Sequence, residues 1–266
     1  MKKFLCLICS LALLAAAVPF AACSNQAYVN YTLGEDGAHY IVSGVSGNKS
    51  ALKRYEIPSY YCEQEGDELL PVTEIGEGAF MMCTSLYSVT LPDSLEIIGV
   101  NAFTFCALNS IAIPEGVTLI GRAAFGQCTA LTEVVIPESV TEIQDMAFAY
   151  CSNLKKAVIK GGITELPYRA FYNSYVTMSG NLYTSTSLVS IYLPATLEKV
   201  HISALDGNFI EDIYFAGSKE QWDKLYFYKN EREEGEDGET HVVEKKVEKS
   251  EALPANVKIH CDSPSE

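Results

Sequence analysis

Ile75-Gly76-Glu77-Gly78-Ala79-Phe80-Met81-Met82-Cys83 returns as Ile98-Gly99-Val100-Asn101-Ala102-Phe103-Thr104-Phe105-Cys106, then again over 120–128 and 143–151. The step hardly varies. A unit of that length closes one coil of backbone, and coils stacked in register bury a continuous core while showing one repeated surface to solvent. The period therefore predicts a solenoid and directs the search for function to a surface.

A second phrase fills the gaps. Leu86-Tyr87-Ser88-Val89-Thr90-Leu91-Pro92-Asp93-Ser94-Leu95 recurs over 108–117 and 131–140. Leu-x-x-Val-x-Leu alternates apolar and polar, the period of a half-buried strand. The proline then ends the strand, since it has no N–H for the ladder. Leu95 and Ile98 begin the return side of the coil, and Ala102-Phe103 packs inward before the cysteine. Gly76, Gly99 and Gly121 read as a permissive turn, with Gln144 in the same place. One rung cannot bury enough apolar surface to offset its own ordering, so neighbours and end caps must stabilise it.

The frame stretches twice. The link from Phe171 to Leu188 is far longer than the one from Phe103 to Leu108, and its extra segment, with Met178-Ser179-Gly180-Asn181, reads as a loop or small hairpin on the rim. The link over 58–72 is also long and holds Cys62 and the acidic Glu63-Gln64-Glu65-Gly66-Asp67-Glu68. Further rungs continue over 188–205 and 210–215.

The segment 1–22 stands apart from the fold. Lys2 and Lys3 precede an apolar run from Phe4 to Phe20, and Ala21-Ala22-Cys23-Ser24 closes it, which is the pattern of a cleaved export signal. The site resembles a bacterial lipobox, with Phe20 where that pattern prefers Leu. This makes Cys23 the candidate lipidated N-terminus, an anchor that needs no spanning helix. Cleavage would move the formal charge from -15 to -17, because two lysines and no acids leave. Nucleic acid and anionic lipid are poor partners for so acidic a chain. The charge run over 231–251 reads as a solvated, partly disordered loop.

Of nine cysteines, Cys6 and Cys9 leave with the signal. Cys83, Cys106, Cys128 and Cys151 share one repeat position and read as a column of small buried thiols. A metal site needs ligands that converge, and a column offers one sulfur per rung. Rungs about 4.8 Å apart leave a strained disulfide within reach. Cys62 and Cys261 cannot be paired from sequence. No cofactor or metal is expected.

These phrases resemble the BspA-type leucine-rich repeats, whose units read approximately Leu-x-x-Ile-x-Ile-Pro-x-Ser-Val-x-x-Ile-Gly-x-x-Ala-Phe-x-x-Cys. The likeness runs over 72–205. Tyr40-Ile41-Val42-Ser43-Gly44 is similar to the entry hairpin of such arrays. The segment 213–222, ending in Trp222, is similar to the closing segment in which a short helix carries a tryptophan, and Val257-Lys258-Ile259-His260 would return as a last strand. The resemblance implies a leucine-rich repeat solenoid, a right-handed coil of 22–23-residue rungs with a parallel sheet on the concave face, mostly β with turns and short helices. It divides the chain into a signal peptide (1–22), a cap hairpin with the first rung (23–70), the repeat array (71–215) and a C-terminal cap with helix, acidic loop and last strand (216–266). It also implies a cell-surface or secreted bacterial protein, often a lipoprotein, associated with adhesion to host matrix proteins or other cells.

With Leu86, Val89 and Leu91 inward, Tyr87, Ser88 and Thr90 point outward. The same arithmetic gives Asn109, Ser110 and Ala112; Thr132, Glu133 and Val135; Lys155, Lys156 and Val158; Val189, Ser190 and Tyr192; and Glu211, Asp212 and Tyr214. Tyr87, Thr90, Asn109, Glu133, Lys155, Lys156, Tyr192 and Tyr214 are the candidate partner-binding residues of the concave face, with tyrosines as anchors. The inserted loops are the competing location. No nucleophile elbow, His-Glu-x-x-His pair or glycine-rich phosphate loop is present, and His39, His201, His241 and His260 do not converge in sequence. The reading is a non-enzymatic surface protein that binds a protein partner. The alternatives are a structural envelope or assembly element and, behind it, a hydrolytic enzyme.

Overall fold

A computed structural model describes residues 26–176, 182–184, 188–234, 240–253 and 256–262. The segment 1–22, Cys23 and the positions 178–181 lie outside the described residues.

Most rungs supply two short strands, one to each of two stacks. The Leu-x-x-Val-x-Leu phrase forms the first stack. Arg54–Glu56 pairs in parallel with Ser88–Thr90, and Glu133–Ile136, Lys156–Ile159, Ser190–Leu193, Asp212–Phe215 and Lys258–Cys261 form one parallel sheet. Between the two groups, the rung with Ile111 and Ile113 keeps a single bridge, Ala112 to Val135. The second stack was not evident from the repeat phrase, because its strands are very short in the central rungs. Ile97–Ile98, Leu119–Ile120 and Glu142–Ile143 pair in parallel above Leu70–Ile75, and Glu165–Leu166, Lys199–His201 and Tyr226–Glu234 continue the same side of the coil. A rung is thus two sheet sides joined by a turn side.

The core is a set of columns. Phe80, Phe103, Phe125, Phe148 and Phe171 stack nearly parallel, with ring centroids 5.1, 5.4, 5.1 and 5.2 Å apart. The cysteine column has a specific task. The thiols of Cys106, Cys128 and Cys151 each donate, at 3.2 Å, to the carbonyl of the phenylalanine one rung earlier. In the rung that begins at Leu188, Asn208 stands at the matching place and its Nδ2 donates to the Phe171 carbonyl at 2.6 Å. The position thus selects a short donor that satisfies a buried carbonyl. The four column cysteines are buried thiols outside any disulfide, and burial raises the pKa of each, that of Cys151 up to about 12, so they are inert core groups.

The glycine column differs from the expected turn. A Cβ on Gly99 would sit 2.6 Å from the Ile75 carbonyl oxygen, and one on Gly121 would sit 2.7 Å from the Gly99 carbonyl carbon. These glycines permit rung-on-rung contact. The left-handed residues lie two positions later, at Gly78 (φ 61), Asn101 (φ 55), Ala123 (φ 52), Met146 (φ 60) and Arg169 (φ 54), and again before each cysteine. Gln144 replaces glycine in the fourth rung and compensates locally, its Oε1 accepting from the Arg122 N–H at 3.0 Å.

Both ends are closed. Ala27–Leu33 and Tyr40–Gly47 form the entry hairpin, and Tyr31 stacks on Tyr61 at 4.2 Å. At the other end, Ser218 and Gln221 build a capping box on the helix Lys219–Lys224, which holds Trp222 between Phe215 and Phe227. Lys258–Cys261 returns as the last parallel strand. The inserted segment after Phe171 forms an antiparallel pair, Ser174–Val176 with Leu182–Thr184.

Much of the run expected to be a solvated, partly disordered loop is regular structure, with 235–239 outside the described residues. Tyr226–Glu234 and Thr240–Lys246 form an antiparallel hairpin, and the helix Lys249–Ala252 follows. Register explains it: Lys229 faces Lys245, and Glu231 bridges the two at 2.6 and 2.8 Å. These lysines pull the Glu231 carboxyl down to about 2. No helix among the described residues is long and apolar enough to cross a membrane.

Candidate partner-binding face

Parallel pairing in register turns the outward positions of the first stack into columns. One column runs Glu133, Lys156, Ser190, Asp212, Lys258, and beside it runs Val135, Val158, Tyr192, Tyr214, His260. Tyr214 lies between two rings, stacked on Tyr192 at 4.3 Å and on His260 at 4.6 Å. The Lys156 ammonium sits 5.0 Å from the Tyr192 ring centre and 3.8 Å from Glu133. His260 Nε2 is 2.8 Å from Asp212 Oδ1. The result is a stripe of stacked rings flanked by alternating charge, held on strands whose backbone is fixed by the ladder.

The structure therefore brings Glu133, Lys156, Tyr192 and Tyr214 together, with exposed Lys155 adjoining. Tyr87, Thr90 and Asn109 lie on the earlier rungs. Asn109 joins Tyr87 through its backbone N–H, which donates to the Tyr87 carbonyl at 3.2 Å. Tyr87 is engaged by Arg54, whose Nε donates to its hydroxyl at 2.6 Å and whose guanidinium lies 5.0 Å from its ring centre. Val158, expected outward and solvated, is 1% exposed. Its place in register between Val135 and Tyr192 makes it part of the packed base of the stripe.

Residues 60–177 match the BspA type leucine rich repeat region in six copies. These are BspA-type leucine-rich repeats. A leucine-rich repeat protein of Bacteroides ovatus with a solved crystal structure is 25% identical over 70% of this chain, with a TM-score of 0.53. The match takes in 53% of that protein, so this chain spans about half its length. A leucine rich repeat protein of T. pallidum is 24% identical over 71% of this chain and 83% of its own, with a TM-score of 0.47. A leucine rich cell surface protein of Faecalibacterium prausnitzii is 19% identical over 75% of this chain and 97% of its own, with a TM-score of 0.22. No curated protein matches the chain.

His260 was missed as a surface residue of the repeat stack. The signal was available: extending the outward alternation to Val257-Lys258-Ile259-His260 yields Lys258 and His260 directly. A groove on the second stack was also missed. It encloses about 490 Å³ and is lined in part by Arg122, Glu142, Asp145 and Glu165. Behind it, His201 is buried between the edges of Tyr168 and Tyr228, and the Tyr228 hydroxyl donates to Glu165. Burial lowers the His201 pKa and raises that of Asp145. His201 Nδ1 accepts from the Ser203 backbone at 3.1 Å and lies 2.9 Å from its hydroxyl, a local helix cap. Among the described residues no three His, Cys, Asp or Glu side chains are grouped to hold a metal ion.

Proposed function

We propose that this chain is an exported, non-enzymatic bacterial surface protein that recognises a protein partner through the strand face of its repeats. The observation that carries the reading is the stripe of Lys156, Tyr192, Tyr214 and His260. Aromatic side chains fixed by stacking lose little freedom on binding, and flanking charges set orientation. Cys23 anchors the mature chain by its acyl groups. Host matrix proteins and proteins of other cells are the partner class, and no cofactor takes part.

Two experiments test the proposal. Mass spectrometry of the mature N-terminus is expected to find a diacylated Cys23; cleavage elsewhere or a bare cysteine removes the anchor. Purified protein titrated against immobilised extracellular matrix proteins is expected to bind, and Tyr192→Ala with Tyr214→Ala to weaken binding at least ~10-fold. Equal affinity in the double variant, with its melting unchanged, would move the site to the inserted loops.

A further inference from the structure

Pro167 interrupts the second strand stack. At the same place in the earlier rungs, Gly99, Gly121 and Gln144 donate their backbone N–H groups to the carbonyls of Ile75, Ile98 and Ile120 at 2.7, 2.7 and 2.9 Å. Proline has no N–H, so the Ile143 carbonyl receives no such bond, and Glu142–Ile143 and Glu165–Leu166 fall into separate sheets. The same two rungs stay closed elsewhere: Phe148 stacks on Phe171 at 5.2 Å, and Glu133–Ile136 pairs with Lys156–Ile159. The second stack therefore opens as a wedge, and the groove of about 490 Å³ lies in it.

The groove is rich in acceptors that no cation of the chain neutralises. Glu142, Asp145 and Glu165 line it, and among the described residues none of them has an ion-pair partner. Gln144 holds Glu142 in place, its Nε2 donating to the carboxylate at 2.8 Å while its Oε1 accepts from the Arg122 N–H. Arg122 lines the groove without pairing with these acids, and Lys199, opposite Glu165 in register, is taken by Glu244 at 3.1 Å.

His201 closes the inner end. Extending the register of Glu165 with Lys199 and Leu166 with Val200 sets it beside Pro167, in the outward column that begins with the glycines. It is only 4% exposed, yet its Nε2 has no hydrogen-bond partner among the described residues. Because Nδ1 accepts the Ser203 backbone N–H, the neutral ring carries its proton on Nε2. Burial favours that neutral ring against the pull of Asp145 and Glu165, so this end adds a hydrogen-bond donor and no positive charge.

We propose that the groove receives an arginine side chain of a protein partner, with the guanidinium on Glu142 and Asp145 and the backbone carbonyl of that arginine on the Nε2–H of His201. Three observations select this occupant. Carboxylates without a counter-ion favour a cation, and the formal net charge of -15 draws one in. Among the described residues the acids do not converge as a metal ion would require, so a planar fork of donors spans them better than a point charge. A buried donor without an acceptor favours a ligand that also carries a carbonyl, which a peptide has and a simple amine lacks. The site lies on a different sheet from Tyr192 and Tyr214 and does not depend on their role.

Titration of the isotope-labelled protein with N-acetyl-arginine N-methylamide, followed by NMR, is the test. Saturable shifts are expected at the amides of Gln144, Asp145 and Tyr168 and at the His201 ring. The citrulline analogue, which keeps the shape and loses the charge, should bind at least ~10-fold more weakly, and so should agmatine, which keeps the guanidinium and lacks the carbonyl. Glu142→Gln with Asp145→Asn should weaken binding to a similar degree. Glu65→Gln with Glu68→Gln removes the same charge from an exposed segment and should leave it unchanged. Absence of saturable shifts, equal binding of either analogue, or equal loss in the two double variants would overturn the inference.

Discussion

Phe125→Ala is expected to destabilise the protein by about 3–5 kcal/mol, the range for removing a fully buried aromatic ring. Phe125 is fully buried and is the middle of the ladder, stacked on Phe103 at 5.4 Å and Phe148 at 5.1 Å. Both faces lose a partner at once, and the void falls between rungs whose backbones cannot close on it. The ladder fixes their separation through bonds such as the Phe125 N–H to the Ala147 carbonyl at 2.8 Å. A solenoid transmits stability from neighbour to neighbour, so a weak central rung uncouples the two halves. Thermal melting followed by circular dichroism should drop by about 10 °C or more, with a broadened transition. A loss below about 1 kcal/mol would mean that the column is loosely packed.

The second large effect is at the C-terminal end. Trp222 is 4% exposed, packs on Phe215 at 5.6 Å and Phe227 at 6.4 Å, and its carbonyl accepts from the Lys249 ammonium. Trp222→Ala is expected to cost about 3–5 kcal/mol, but locally. The array end opens first, because rungs far from the cap keep both neighbours. Hydrogen exchange should show lost protection in Asp212–Phe215 and Lys258–Cys261, while Ile97–Ile98 and Leu119–Ile120 stay near their original level. Uniform loss over all of these strands would show that the chain unfolds as one unit and that Trp222 is not an end cap.

The parts of the fold legible in the sequence were those encoded by a long-period repeat. Phe and Cys recur at a near-constant step because every rung needs the same ring and the same donor at the same place, so their burial follows from counting. The second strand stack was not legible: a pair such as Ile97-Ile98 is too short for an alternation to register. The glycine column was misread because sequence does not distinguish a glycine needed for its dihedral from one needed for close approach, and Gly99 is the second kind. The hairpin within 226–246 was hidden because its stabilising contacts, Glu231 with Lys229 and Lys245, depend on cross-strand register. At the candidate face, alternation placed Tyr192 and Tyr214 outward. The stacking that joins them to His260 depends on the last strand, Lys258–Cys261, returning into the same sheet after the cap helix and the hairpin that follow Phe215.

Recognition through the charged and aromatic stripe of the strand face is tested most directly by the affinity of the purified protein for a matrix protein as a function of ionic strength. With Glu133, Lys156, Asp212 and Lys258 flanking the rings, affinity should fall as salt rises, and the Tyr192→Ala, Tyr214→Ala variant should bind weakly at every salt concentration. Affinity that is independent of salt and indifferent to the two tyrosines would contradict a role for the stripe.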